Sequence, residues 1–103
     1  MKESHIQRQV LDLLEQLMFD GKCVVARTHS GTFHLAEGRF ARCAIAGYPD
    51  ITLLYRGCFY GLEVKTPKGK QSEDQKRMQS WIESCGGKYI IVRSVDDVKK
   101  LLK

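Results

Sequence analysis

Two strand-like runs, Asp50 to Tyr55 (DITLLY) and Cys58 to Lys65 (CFYGLEVK), are joined by only two residues, Arg56-Gly57. A two-residue connection containing glycine between such runs predicts a β-hairpin. Chain reversal in an antiparallel pair then returns the far ends to one another, so Asp50, which starts the first strand, meets Glu63 near the end of the second. Glu63 and Lys65 are two residues apart, and period-two geometry points both to one face. An acid pair and a base are thereby aimed at one place.

The flanking segments read as helices and further strands. From Glu3 to Met18 the apolar residues Ile6, Val10, Leu13, Leu14 and Leu17 recur at three- and four-residue steps, which is an amphipathic helix ended by Asp20-Gly21. Cys23 to Ala26 (CVVA) reads as a first strand, and the polar stretch from Thr28 to Arg42 has no regular pattern. After the hairpin, Thr66 to Lys70 (TPKGK) is a basic loop. Ser72 is the N-cap of a second helix with Glu73, Asp74 and Gln75 in its first turn, and Gly86-Gly87 stops that helix after about Ser84. Tyr89 to Val92 (YIIV) is a last strand, and Ser94 with Asp96 and Asp97 opens a closing helix to Leu102. No repeat or low-complexity segment interrupts this order.

Length and charge narrow the function. The 103 residues are enough for one domain, 1–103, and too few for two. No apolar run approaches the roughly 20 residues that span a bilayer, and Met1 to Gln9 are polar, so no leader and no membrane association are expected and the chain reads as soluble and intracellular. The net charge is +5, and residues 51–103 carry eleven basic and six acidic side chains against six and six in residues 1–50. A basic half suits a polyanionic partner. Cys23, Cys43, Cys58 and Cys85 have no close CxxC pair and no nearby His pair, a spacing poor for zinc. Three of them, Cys23, Cys58 and Cys85, adjoin apolar stretches, so they read as small buried hydrophobes of a reducing compartment, with no disulfide and no structural metal expected.

The chemistry concentrates in Gly47-Tyr48-Pro49-Asp50, Glu63-Val64-Lys65 and Gln75. Two convergent carboxylates, with a backbone carbonyl such as that of Val64, form a hard oxygen site suited to Mg²⁺ or Mn²⁺. Lys65 beside them can orient or deprotonate a water and offset charge in a transition state. Glu3 lies three and seven residues before Ile6 and Val10, on the inward stripe of the first helix, although an acid at a helix start also complements the dipole. Gln75 lies three and seven residues before Met78 and Ile82, on the apolar side of the second helix.

These residues resemble the PD-(D/E)xK nuclease superfamily, and within it the virus-type replication-repair nuclease (VRR-NUC) family. The resemblance rests on the GxPD context at 47–50, the EVK triplet at 63–65 and Ser72-x-x-Gln75, and it extends from the Glu3 helix to the Tyr89 strand. It implies an α/β, restriction-endonuclease-like αβββαβ core with a central mixed sheet flanked by helices. It also implies an Mg²⁺- or Mn²⁺-dependent endonuclease that hydrolyses DNA phosphodiesters. The implied roles fall on Glu3, on Asp50 and Glu63 as metal ligands together with the Val64 carbonyl, on Lys65 as the catalytic lysine and on Gln75 as a supporting residue. Arg27, followed by Ser30-Gly31, is similar to the family's Arg before a polar Gly loop, near DNA.

Stand-alone viral and bacterial members resemble Holliday junction resolvases that act as homodimers on branched DNA, while multidomain relatives such as the Fanconi-associated nuclease cut flaps. A lone domain of this length points to the resolvase side, in the cytoplasm of a bacterial or virus-infected host cell. Two-fold symmetry would supply the two active sites that paired cuts need. A nuclease of flap, nicking or linear-duplex specificity and a non-catalytic DNA-binding module on the same fold are the alternatives.

Taken singly, Asp50 is a turn residue before a strand and Lys65 a solvated strand end. Taken together at the family's spacing, they read as catalytic. Lys68, Lys70, Lys76 and Arg77 follow the site, where a DNA backbone has to pass, or else form an ordinary solvated basic face. His5 reads as a helix-surface residue, and His29 and His34 as loop residues without metal spacing. Met78 and Trp81, at helical spacing, read as core or dimer interface rather than base-stacking groups.

Overall fold

A computed structural model of the chain describes residues 2–28, 32–34, 40–42 and 45–103. Helix α1 (Glu3–Phe19) buries Ile6, Val10, Leu11 and Leu14, while Leu13 and Leu17 lie half-buried beside them. The inward stripe is thus centred one position from the expected line and includes Leu11. Helix α1 closes on a Schellman motif: Gly21 adopts φ 77°, its N–H donates to Met18 O at 2.9 Å, and Lys22 N–H donates to Leu17 O at 3.0 Å.

Strand β1 (Val24–Arg27) follows. Two short strands, β2 (Thr32–His34) and β3 (Phe40–Arg42), pair antiparallel as a separate two-stranded sheet within the stretch whose sequence shows no regular pattern. Runs of three residues are too short to carry a readable alternation. His29, Ser30, Gly31 and Cys43 lie outside the described residues, as does the side chain of His34.

Strands β4 (Ile51–Tyr55) and β5 (Cys58–Val64) form the expected hairpin, registered from Tyr55↔Cys58 to Ile51↔Leu62. The turn residues Arg56 (φ 51°) and Gly57 (φ 76°) both have positive φ, as a two-residue turn matched to strand twist requires. Arginine in that conformation is strained, partly offset by its guanidinium lying 5.2 Å from the Tyr55 ring centre. Arg56→Asn is therefore expected to stabilise the domain by about 0.5 kcal/mol, read as a small rise in melting temperature. A fall would mean that the stacking outweighs the strain.

Helix α2 (Glu73–Ser84) begins in a full capping box, with Gln75 N–H donating to Ser72 Oγ and Ser72 N–H donating to Gln75 Oε1. It ends at Gly86 (φ 91°) in a second Schellman motif. Strand β6 (Lys88–Val92) then pairs parallel with β5, and α3 (Val95–Leu101) packs near α1 and β6.

The main sheet has the order β1-β4-β5-β6, with two antiparallel pairings and one parallel pairing. Val25, Ile51, Leu53, Leu62, Val64 and Val92 form one core with α1 and with Val98 of α3. Gly61, on the alternate face of β5, approaches Ile82 of α2 instead. The sheet is therefore covered by helices on both faces, in the αβββαβ order of a restriction-endonuclease-like core with α3 appended. Among the described residues no helix is long and apolar enough to cross a membrane.

Two sequence expectations are corrected. Trp81 is exposed, with the Arg77 guanidinium 6.0 Å from its ring centre, rather than in the core, which leaves the dimer-interface half of the expectation untested. Of the cysteines, Cys23 is buried as expected, but Cys58 is half-buried and Cys85 exposed, because Cys85 is the C-cap residue where α2 ends at the surface. An apolar neighbourhood in sequence does not bury a residue at a helix terminus.

Candidate active site at the carboxylate end of the hairpin

The Gly47-Tyr48-Pro49-Asp50 segment is fixed from two sides. Gly47 has φ 81°, and a Cβ there would overlap the backbone carbonyl of Asp74 at the start of α2. Pro49 is buried against Gly61 of β5, where a side chain would overlap the proline ring. Glycine is thus required at 47 both for its dihedral angle and for close backbone approach. Gly47→Ala is expected to cost roughly 3 kcal/mol or more, measured by urea denaturation. An unchanged midpoint would show that the loop and α2 are not locked together.

So anchored, Asp50 is held by the backbone on both sides. Its carbonyl accepts from Thr28 N–H at 2.8 Å, and its carboxylate Oδ2 accepts from Val64 N–H at 3.0 Å. Pairing with β4 ends at Ile51↔Leu62, so Val64 lies beyond the last β4 partner. Because N–H and C=O of one strand residue face the same edge, the Val64 carbonyl faces the Asp50 side as well.

Glu63 is the one charged side chain that is buried among the described residues, at 3% exposure. Burial, followed by a shared hydrogen bond with Asp50 and repulsion from its charge, pushes the Glu63 carboxyl up to about 8, against a smaller opposing pull from Lys65. The Tyr89 hydroxyl donates to Glu63 Oε1 at 3.3 Å. Burial and the neighbouring Glu63 raise the Tyr89 phenol above its usual range. Lys65 is half-buried at the end of β5, and its backbone N–H donates to Val92 O at 2.9 Å.

This donor set fits a hard divalent cation. Two carboxylates that repel each other when both are ionised gain from a positive charge between them, and Mg²⁺ takes one or two protein carboxylates while keeping several waters. No group of three or more His, Cys, Asp or Glu side chains gathers among the described residues. A cation here would therefore rest on Asp50 and Glu63, with the Val64 carbonyl and solvent or substrate oxygens completing its shell.

The remaining sequence candidates are placed unevenly. The short connection after α1 sets that helix antiparallel to β1, so Glu3 lies at the same end of the sheet as Asp50. Its side chain is exposed rather than on the inward stripe, because it precedes the first turn that packs. Gln75 is half-buried with its amide oxygen committed to the capping box. Arg27 is exposed at the end of β1, opposite Ile51 in the register and so beside the site. Lys68 and Lys70 are exposed on the loop after Lys65. Lys76 and Arg77 are exposed as well, but each pairs with an acid one turn earlier, Glu73 and Asp74.

Two contributors escape sequence reading. One is Tyr89, whose only clue is that a tyrosine buried in a strand must find a partner for its hydroxyl. The other is Arg93, just after β6, whose Nη1 donates to the carbonyls of Thr66, Pro67 and Gly69 at 2.7, 3.3 and 2.8 Å. It clamps the loop that carries Lys68 and Lys70.

No protein-family model matches the sequence, and no curated protein matches it. Among solved structures the chain is similar to one described as a VRR_NUC domain, with a TM-score of 0.67 at 26% sequence identity, over 97% of this chain and 92% of that one. The match spans both chains nearly end to end, and it agrees with the sequence motifs by which this chain resembles the VRR-NUC family.

Proposed function

We propose that this single domain is a divalent-cation-dependent, structure-selective DNA endonuclease acting on branched DNA as a homodimeric Holliday junction resolvase. The observation that carries the reading is the convergence of Asp50 and the buried Glu63 beside Lys65. An acid pair with one member buried, facing a polyanion, is costly to a module that only binds DNA and useful to one that holds a cation against a phosphate.

In this reading Asp50, Glu63 and the Val64 carbonyl hold Mg²⁺ or Mn²⁺, which supplies Lewis-acid polarisation of the phosphodiester and a more acidic water. Lys65 takes or orients the proton of the attacking water and offsets developing charge on the phosphate. Arg27, Lys68 and Lys70 rim the same end of the sheet and contact the DNA backbone, with Lys76 and Arg77 further along α2. Gln75 supports the site through the start of α2, and Glu3 approaches from the start of α1.

Labelled four-way junction, flap and linear duplex, each with Mg²⁺, Mn²⁺ or EDTA, test this. Paired, symmetric, metal-dependent cuts confined to the junction are expected. Cutting of the flap or linear duplex instead would replace the resolvase specificity and keep the chemistry, whereas binding without cutting under every metal would leave a DNA-binding module.

A further inference from the structure

Glu63 is held by more than its partner acid. Strands β5 and β6 run parallel with Gly61 opposite Tyr89 and Glu63 opposite Ile91, so Tyr89 and Glu63 are diagonal neighbours on one face of the sheet. Diagonal pairs lie within reach of an aromatic and a long side chain. Gly61, opposite Tyr89, puts no side chain in the way. Tyr89 is 4% exposed, and its hydroxyl donates to Glu63 Oε1 in a buried hydrogen bond of 3.3 Å.

The loop before α2 brings a side chain near the phenol. The Gln71 side chain faces the Tyr89 hydroxyl, and Gln71 Nε2 donates to Gln79 Oε1 at 2.8 Å. The Gln71 amide, held by Gln79 of α2, thus lies beside the phenol that donates to Glu63. The bond to Oε1 fixes the rotation of the Glu63 carboxyl group beside Asp50.

We propose that Tyr89 is a positioning residue that orients Glu63 as a ligand and so sets the affinity of the site for its divalent cation. The proposal rests on the metal-dependent reading above and adds to it a residue outside the recognised motif. Groups that orient a metal ligand through a hydrogen bond are worth about 10- to 100-fold in metal affinity when removed. Tyr89→Phe keeps the ring that packs in the sheet and deletes only the hydroxyl.

The experiment is direct Mn²⁺ binding to the DNA-free protein by isothermal titration calorimetry, beside Mn²⁺ titrations of branched-DNA cleavage, for wild type and Tyr89→Phe. The expected result is a Kd for Mn²⁺ raised about 10-fold or more, with cleavage recovering to within a few-fold of wild type at saturating Mn²⁺. An unchanged Kd overturns the proposal, as does a cleavage rate that stays low at saturating metal. If Tyr89→Phe does not fold, Gln71→Leu, which leaves the phenol but removes the amide beside it, is expected to raise the Kd in the same direction, and no change overturns the proposal. A wild-type protein that binds no Mn²⁺ defeats the metal reading itself, a result distinct from wild type and Tyr89→Phe binding Mn²⁺ equally.

Discussion

Lys65→Ala is expected to leave the domain folded and to lower metal-dependent cleavage of branched DNA by about 10²- to 10⁴-fold, the usual worth of a positioned acid or base. Lys65 is half-buried at the end of β5, and the hydrogen bond that anchors it comes from its backbone N–H to Val92 O, which alanine keeps. A melting curve close to that of wild type should therefore accompany the loss. Single-turnover cleavage at saturating enzyme separates this effect from weaker DNA binding. Lys65→Arg refines the assignment, because guanidinium retains the charge but does not give up a proton near neutrality. Partial rescue by arginine would assign Lys65 to charge stabilisation, and no rescue would assign it to proton transfer. Cleavage by Lys65→Ala within about three-fold of wild type would remove Lys65 from the reacting groups.

The second large effect concerns Glu63 and takes opposite signs in stability and activity. The folded domain holds this carboxyl at about 8, well above its ordinary value of 4.5. Below the ordinary value the group is protonated in folded and unfolded chains alike. As pH rises from there towards 8, the unfolded chain ionises first and the metal-free domain loses stability, by a few kcal/mol in total. Glu63→Gln removes the titrating group and should flatten that decline. In EDTA the melting temperature of wild type is expected to fall from pH 5 to pH 8 more steeply than that of Glu63→Gln, so that the variant is the more stable protein at pH 8. With Mn²⁺ the order reverses, since wild type gains the binding energy of the cation and the variant gains little. Cleavage by Glu63→Gln should be lost at every pH. Parallel melting curves for the two proteins across this range in EDTA would show that Glu63 is not the strained acid of the site.

Much of the geometry of the candidate site was legible because it is local. The Arg56-Gly57 connection determines which residues of β4 and β5 pair, and Asp50 and Glu63 then meet by counting. The helices were legible for the same reason, since a 3.6-residue apolar period, Ser72 with Gln75, and glycines at 21 and 86 each act within one or two turns. The GxPD motif was legible as a candidate site but not as architecture. That Gly47 must clear the Asp74 carbonyl, and that Pro49 must stack on Gly61, depends on where α2 and β5 lie.

What sequence by itself determined is the set of elements of the main fold and their order, apart from the short β2–β3 pair, together with the hairpin register and the candidate acids and base. What only the tertiary structure decided is the environment of those groups. The parallel pairing of β5 with β6 crosses a whole helix, so no local period encodes which residue of β6 faces Glu63, and Tyr89 enters the site only through that register. The same pairing brings Arg93 to the carbonyls of the loop after Lys65. Burial of Glu63, and with it the displacement of its proton affinity, is likewise a property of the assembled layers. Periodicity records which face of a segment is apolar, whereas desolvation of one carboxylate is set by every element that closes around it.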